Sequence, residues 1–211
     1  MWGNARPIVQ PSIEELRKKS RILVIDDQDF PFLGLFQRDN YHIERWAEIE
    51  NLTKLTDGYF DVVLLDINGV GLRESPTRQG LGILEHVKHQ NPAQHVILYS
   101  SKPQSITQRE VLILADVVLD KKSEYVDYKR SVDDLLISRY NPGYFISVMN
   151  RELGPNAANS PRAVSKALRA LRNGRTDGLR NYLAGTLQDQ AKADVIVTVI
   201  SIGAKVLEAV L

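Results

Sequence analysis

Four stretches of the chain run from apolar residues straight into groups that can handle charge. Ile25 is followed by Asp26 and Asp27, Leu65 by Asp66, Tyr99 by Ser100, and Leu119-Asp120 by Lys121. Three carboxylates brought together repel one another unless a positive charge joins them. A hard divalent cation with oxygen ligands meets that need, and Mg²⁺ suits a site that keeps several waters. An ammonium beside them can pair with Asp66 or with a phosphoryl group added there. The chemistry these types support is phosphoryl transfer to Asp66, whose carboxylate attacks phosphorus to give an acyl phosphate. Mg²⁺, Lys121 and the Ser100 hydroxyl then stabilise charge on the phosphoryl oxygens. A hydrogen bond from Ser100 to such an oxygen pulls the following loop toward the site.

Those residues converge only if the elements carrying them lie side by side. Phe60 to Asp66 is a Val/Leu run of the kind buried on both faces of a parallel sheet, and Asn68, Gly69 and Gly71 end it in a loop. Strands are also expected at Arg21–Ile25, Tyr41–Trp46, His95–Tyr99 and Asp116–Leu119. Between them the spacing predicts helices: Ile13 to Lys19, capped by Ser12 with Glu15, an irregular one over Phe30 to Asp39, then Ile49 to Thr56, Leu81 to His89 and Gln104 to Leu114. A last one, capped by Ser123, runs to about Ser138. Gly69 to Gly80 is read as a long loop. Strand–helix alternation predicts an α/β fold, a doubly wound five-stranded parallel sheet of the flavodoxin-like order 2-1-3-4-5. All carboxyl ends of such strands share one edge. Taken singly, each site residue has a plainer reading: Asp26-Asp27 and Asp66 cap turns, and Lys121-Lys122 is a solvated turn.

Taken together they resemble a known family. Leu23-Val24-Ile25-Asp26-Asp27, Leu64-Leu65-Asp66-Ile67-Asn68, Ile97-Leu98-Tyr99-Ser100-Ser101 and Ala115-Asp116-Val117-Val118-Leu119-Asp120-Lys121 resemble the site segments of response-regulator receiver domains in two-component signalling. The resemblance covers Arg21 to about Ser138. It implies that Asp66 is the phosphoacceptor of a phosphorelay and that Ser100 and Lys121 assist it. It implies that Asp27 and Asp66 bind Mg²⁺ directly, Asp26 through water and Asn68 through its backbone carbonyl. The phosphoryl donor is then a sensor histidine kinase or a phosphotransfer protein. Three features depart from the family: the loop Leu72 to Arg78 looks inserted, Lys122 stands where a proline usually follows the lysine, and Val118 replaces the usual aromatic partner of the hydroxyl. Tyr99 is expected to point to the side of its strand opposite Ser100.

With 211 residues and a net charge of +1, the chain has room for one ordinary domain and a smaller one and lacks a field that would draw nucleic acid or membrane. There is no cysteine, which excludes disulfides and thiolate metal sites. No stretch is long and apolar enough for a bilayer span of about 20 residues. A cytoplasmic signalling protein rather than an enzyme is expected. The expected organisation is an arm and short helix over 1–20, the receiver over 21–140, a connector over 141–160 with a turn at Asn141-Pro142-Gly143, and a helical region over 161–211. In that region one helix, Arg162 to Arg172, follows Ser160-Pro161 and faces Val164, Ala167, Leu168 and Leu171 inward. A second runs from Gly178 to about Gln190. The third, Ala193 to Leu211, is apolar except for the stripe Thr198, Ser201, Lys205 and Glu208. Such a helix needs cover over most of its circumference, and burial against a second copy, hence a homodimer, is the expected remedy. Docking onto the receiver and an amphipathic membrane helix are the other ways to cover it. The basic residues Arg162, Lys166, Arg169, Arg172, Arg175 and Arg180 keep DNA binding open as an alternative function, as does a receiver-like scaffold that takes no phosphate.

Overall fold

The computed structural model describes residues 11–101, 108–155 and 160–209. Its elements run α1 (Ile13–Lys19), β1 (Arg21–Ile25), α2 (Leu33–Arg38), β2 (His42–Trp46), α3 (Leu52–Thr56), β3 (Val62–Asp66), α4 (Gly80–Gln90), β4 (His95–Ser100), α5 (Arg109–Leu112), β5 (Val117–Asp120) and α6 (Tyr125–Arg139). The strands form one parallel sheet of order β2-β1-β3-β4-β5, as the strand–helix alternation predicts.

Side chains alternate across a strand, and both faces are apolar. Ile22, Val24, Val62, Leu64, Ile97 and Tyr99 face the core under α1, α2 and α6. Leu23, Ile25, Val63, Leu65, Val96 and Leu98 face the core under α3 and α4. The capping box of Ser12 and Glu15 starts α1, with Glu15 N–H donating to Ser12 Oγ at 3.3 Å and Ser12 N–H to Glu15 Oε2 at 2.9 Å.

Several boundaries differ from expectation for local reasons. The α2 helix begins at Leu33, after a turn in which Leu33 N–H donates to Phe30 O. Ser123 does not cap α6; Glu124 does, in a capping box with Asp127. The helix expected over Gln104 to Leu114 is seen as α5, and residues 102–107 lie outside the described residues. So do the arm over 1–10, the linker positions 156–159 and the last two residues.

The turn signal Asn141-Pro142-Gly143 is a helix start. Asn141 is the N-cap and Pro142 the first residue of α7 (Pro142–Leu153), where a proline has no hydrogen bond to lose. Next come α8 (Pro161–Asn173), α9 (Asp177–Ala184) and α10 (Gln190–Glu208). Ser160 and Pro161 start α8, and Gly174, left-handed at φ 71°, ends it. The buried side of α8 is Ala163, Ala167, Ala170 and Leu171, while Leu168, expected inward, is 44% exposed. Small alanines let α8 lie close to α10.

The apolar sides of α10 are covered within the chain. It packs on α7, α8 and α9, and the stripe Thr198, Ser201, Lys205, Glu208 is its half-buried to exposed side. The surface that argued for a second copy is therefore occupied by the chain itself. The apolar cluster on the α6 face of the sheet continues without a break through Phe145 and Met149 into Ile196, Ile200 and Val206. No helix among the described residues is long and apolar enough to cross a membrane.

Beneath the sheet, polar groups fasten α7 to it. Arg139, fully buried, donates from Nη1 to Ala93 O at 3.0 Å and lies 3.5 Å from Asp61. Tyr144 donates its hydroxyl to Ala93 O at 3.1 Å and its ring tilts over His95, 4.5 Å between centroids. His95 Nδ1 faces Asp116 at 3.3 Å, and Lys88 Nζ reaches the same carboxylate at 2.7 Å. Burial holds the His95 imidazole below its ordinary value of 6.5, with Asp116 opposing. Between the folded and the ordinary value the unfolded chain binds a proton that the folded one refuses, so stability rises with pH there. Stability is thus expected to fall as pH drops through about 6.5, and His95→Asn should flatten that part of a stability-versus-pH curve from urea denaturation. An unchanged slope would remove His95 as its source.

Candidate functional site

The carboxyl ends of β1, β3, β4 and β5 meet at one edge of the sheet. In register, Ile25 lies beside Leu65, Asp66 beside Tyr99, and Ser100 beside Asp120. Asp26, Asp66 and Ser100 are all buried, whereas Asp27 is exposed. Carboxylate oxygens of Asp26, Asp27 and Asp66 all lie within 4.8 Å of one another. This all-oxygen donor set is of the kind a hard cation takes, and the residues fit Mg²⁺.

Lys121 closes the site. Its Nζ stands 2.5 Å from Asp66 Oδ2 and 3.1 Å from Asp26 Oδ2. Burial pushes the Asp66 carboxyl above its ordinary range, and Lys121 offsets only part of that rise. Burial draws the Lys121 ammonium down, but its pairs with Asp66 and Asp26 prevail and hold it above its ordinary value. Asp66 Oδ1 accepts the backbone N–H of Ile67 at 2.7 Å, which fixes the carboxylate plane and leaves Oδ2 toward Lys121. Asn68 follows on the exposed loop, its N–H 3.5 Å from Asp66 Oδ1.

Glycines make room for this arrangement. A Cβ on Gly80 would lie 2.0 Å from Asp66 O, so α4 can start against the end of β3 only without a side chain there. Gly69 has φ +82°, and a Cβ there would lie 2.6 Å from the Asp27 carboxyl carbon. Backbone strain of this kind costs roughly 1–3 kcal/mol. Gly69→Ala is expected to lose that much stability in urea denaturation; a loss below about 0.5 kcal/mol would mean that the loop relaxes freely. The segment from Leu72 to Arg78 folds against the start of α4, where Ser75 lies over Gly82. Gln79, at φ 51°, accepts the Gly69 N–H on its Oε1 at 2.8 Å, and Arg78 pairs with Glu85 of α4.

No protein-family model and no curated protein sequence matches the chain. Solved structures do resemble it. One is a receiver-domain protein from Methanospirillum hungatei, with 23% identity and a TM-score of 0.42 over 56% of this chain and 93% of that one. Another is the response regulator TrrA from Thermotoga maritima, crystallised with the histidine kinase ThkA, with 26% identity and a TM-score of 0.42 over 56% of this chain and 98% of that one. NtrX from Brucella abortus, with 19% identity and a TM-score of 0.47, aligns with 74% of this chain, which spans 35% of its length. The first two align with little more than half of this chain.

The sheet edge brings Asp26, Asp27, Asp66 and Lys121 together, and Ser100 ends β4 at the same edge. Val118 lies on β5, 39% exposed. Tyr99, expected on the side of its strand away from the site, instead reaches the acids. Its hydroxyl donates to Asp26 Oδ2 at 2.9 Å, and Lys121 Nζ sits 5.3 Å from the centre of its ring. Burial, then the negative charge of Asp26, pushes the Tyr99 phenol far above its ordinary value, so it remains a donor. Read from sequence alone, Tyr99 turns away from the site, because the partner of its hydroxyl, Asp26, lies on another segment of the chain.

Proposed function

We propose that the receiver fold takes a phosphoryl group on Asp66 from a phosphohistidine of a sensor kinase or phosphotransfer protein. The observation that carries this reading is Lys121 Nζ at 2.5 Å from Asp66 Oδ2, within an acidic cluster whose donor atoms lie inside 4.8 Å. Asp66 Oδ2 forms the new bond to phosphorus as the phosphorus–nitrogen bond breaks and the imidazole leaves. Lys121 would turn from the carboxylate to a phosphoryl oxygen, and the Ser100 hydroxyl would donate to another. Asp27 and Asp66, with the Asn68 carbonyl, would hold Mg²⁺, and Asp26 would hold its water. Bound there, Mg²⁺ supplies charge to neutralise the phosphoryl oxygens.

The helices over 161–209 supply the output surface, for a partner or for a second copy of the chain. Their apolar cluster is continuous with the sheet face that carries Tyr99, which gives a change at the site a packed route outward. The reading is tested by incubating the protein with a small phosphoryl donor such as phosphoramidate, with and without Mg²⁺, and weighing it by mass spectrometry. One phosphoryl group, gained only with Mg²⁺ and removed by hydroxylamine, is expected. A protein that gains none under conditions that label a known receiver would end the reading in favour of a scaffold that takes no phosphate.

A further inference from the structure

One side chain tied to the acidic cluster belongs to a residue with no role in the chemistry above. Tyr99 is 1% exposed. Its ring is held by Phe30 at 5.9 Å and Tyr128 at 6.0 Å between centroids, so its hydroxyl is presented from a fixed place. That hydroxyl donates to Asp26 Oδ2 at 2.9 Å, while Asp26 Oδ1 accepts the Gln28 N–H at 2.9 Å. Each oxygen of Asp26 therefore has its own neutral donor, and the carboxylate plane is set from both sides. The face of the same ring lies under Lys121, 5.3 Å from Nζ to centroid, at the distance of a cation–π contact. One side chain thus touches both a buried carboxylate and the ammonium that pairs with it.

We propose that Tyr99 is a positioning residue of the Mg²⁺ site: its hydroxyl orients Asp26 toward the metal and its ring seats Lys121. The proposal rests on the reading of Asp26, Asp27 and Asp66 as a Mg²⁺ site. Groups that hydrogen-bond a metal-holding carboxylate fix its direction, and losing one weakens metal binding by about 10–100-fold. Because the two contacts come from different parts of the side chain, they can be removed separately. Tyr99→Phe removes the hydroxyl and keeps the ring; Tyr99→Leu removes both.

The experiment is a Mg²⁺ titration of the full chain by calorimetry and amide chemical shifts, with the Lys121 side-chain nitrogen resonance followed in parallel. The parent is measured first, and a parent that binds no Mg²⁺ sinks the proposed function along with this inference. Given binding, Tyr99→Phe is expected to raise the dissociation constant about tenfold and to leave the Lys121 resonance near its parent position. Tyr99→Leu is expected to move that resonance as well. In an Asp26→Asn background Tyr99→Phe should have no further effect, because the carboxylate through which it acts is gone. A change below about twofold in the single variant overturns the proposal while leaving the Mg²⁺ site standing. So does an equal loss in both backgrounds. A purely structural tyrosine would lower the unfolding midpoint and leave the metal titration where it was. Should Tyr99→Phe not fold, isotope-labelled Tyr99 Cζ in the parent carries the test: a resonance indifferent to Mg²⁺ overturns the proposal.

Discussion

Asp66→Asn is expected to take up no phosphoryl group and to unfold at a higher temperature than the parent. The first effect follows from chemistry: the amide is nearly the same shape but is no nucleophile, so labelling should fall to background. The second follows from the surroundings of Asp66. Its carboxylate is 2% exposed and stands beside Asp26, and burial keeps its ionised form disfavoured even with Lys121 at 2.5 Å. A neutral side chain removes that penalty, while Lys121 keeps Asp26 at 3.1 Å. A gain of about 1 kcal/mol is expected, the usual scale when a functional residue is exchanged for a stable one. The sign with pH is fixed as well. A carboxyl with a raised folded pKa takes up its proton in the fold before it does in the unfolded chain. The advantage of the asparagine should therefore shrink as pH falls toward the ordinary value of 3.8. Mass spectrometry and thermal unfolding at several pH values check both halves. Persistent labelling would move the acceptor elsewhere, and a lower midpoint would mean that the ion pair outweighs the burial of charge.

Phe145→Ala is expected to destabilise the receiver fold and the C-terminal helices as one body. Phe145 is fully buried on α7, packed against the Gly203 position of α10 and 5.7 Å from the Arg139 guanidinium. Truncating a buried phenylalanine costs about 3–5 kcal/mol, part of it for the cavity left behind. Because the apolar cluster runs unbroken from the sheet to α10, that loss should appear in every probe. Trp46 lies in the core on the opposite face of the sheet. With Trp2 replaced by Phe, its fluorescence reports on the sheet, while far-ultraviolet circular dichroism reports mainly on helix. Coincident transitions shifted to lower urea are expected. If the helical signal melted earlier while the Trp46 transition kept its place, the two parts would be separate folding units.

The central strands β1, β3 and β4 were legible because they are buried on both faces, which leaves an apolar run, and the partly exposed edge strands β2 and β5 followed because strand–helix alternation admits few topologies. The site followed from them, since Asp26, Asp66, Ser100 and Lys121 sit at strand ends and the sheet order sets those ends side by side. Information that lies between distant segments did not show. The stripe Thr198, Ser201, Lys205, Glu208 marked the outer side of α10, yet nothing local said that α7, α8 and α9 would cover the rest. Leu168 looked like core because it is leucine, but alanines at 163, 167 and 170 make the tighter contact. Asn141-Pro142-Gly143 reads equally as a turn or as a cap with a first-turn proline, and only packing under His95 decides for the helix. Tyr99 was expected away from the site, and its contact with Asp26 did not show because that partner follows another strand.

The sharing of one apolar cluster by the sheet and the four last helices bears on how this chain can be recombined with others. Domains shuffle readily when the border between them runs through solvent. Here a crossover just after Tyr140 would pass between Arg139 and Phe145, leaving a fully buried guanidinium without the ring it lies against and His95 without the ring of Tyr144. A chimera joined at that point would inherit a misfit. One that carries the segment from Ser12 to Ala209 as a block would bring its own lining with it, and the loop from Leu72 to Arg78 offers a place where foreign sequence could vary without touching that shared interior.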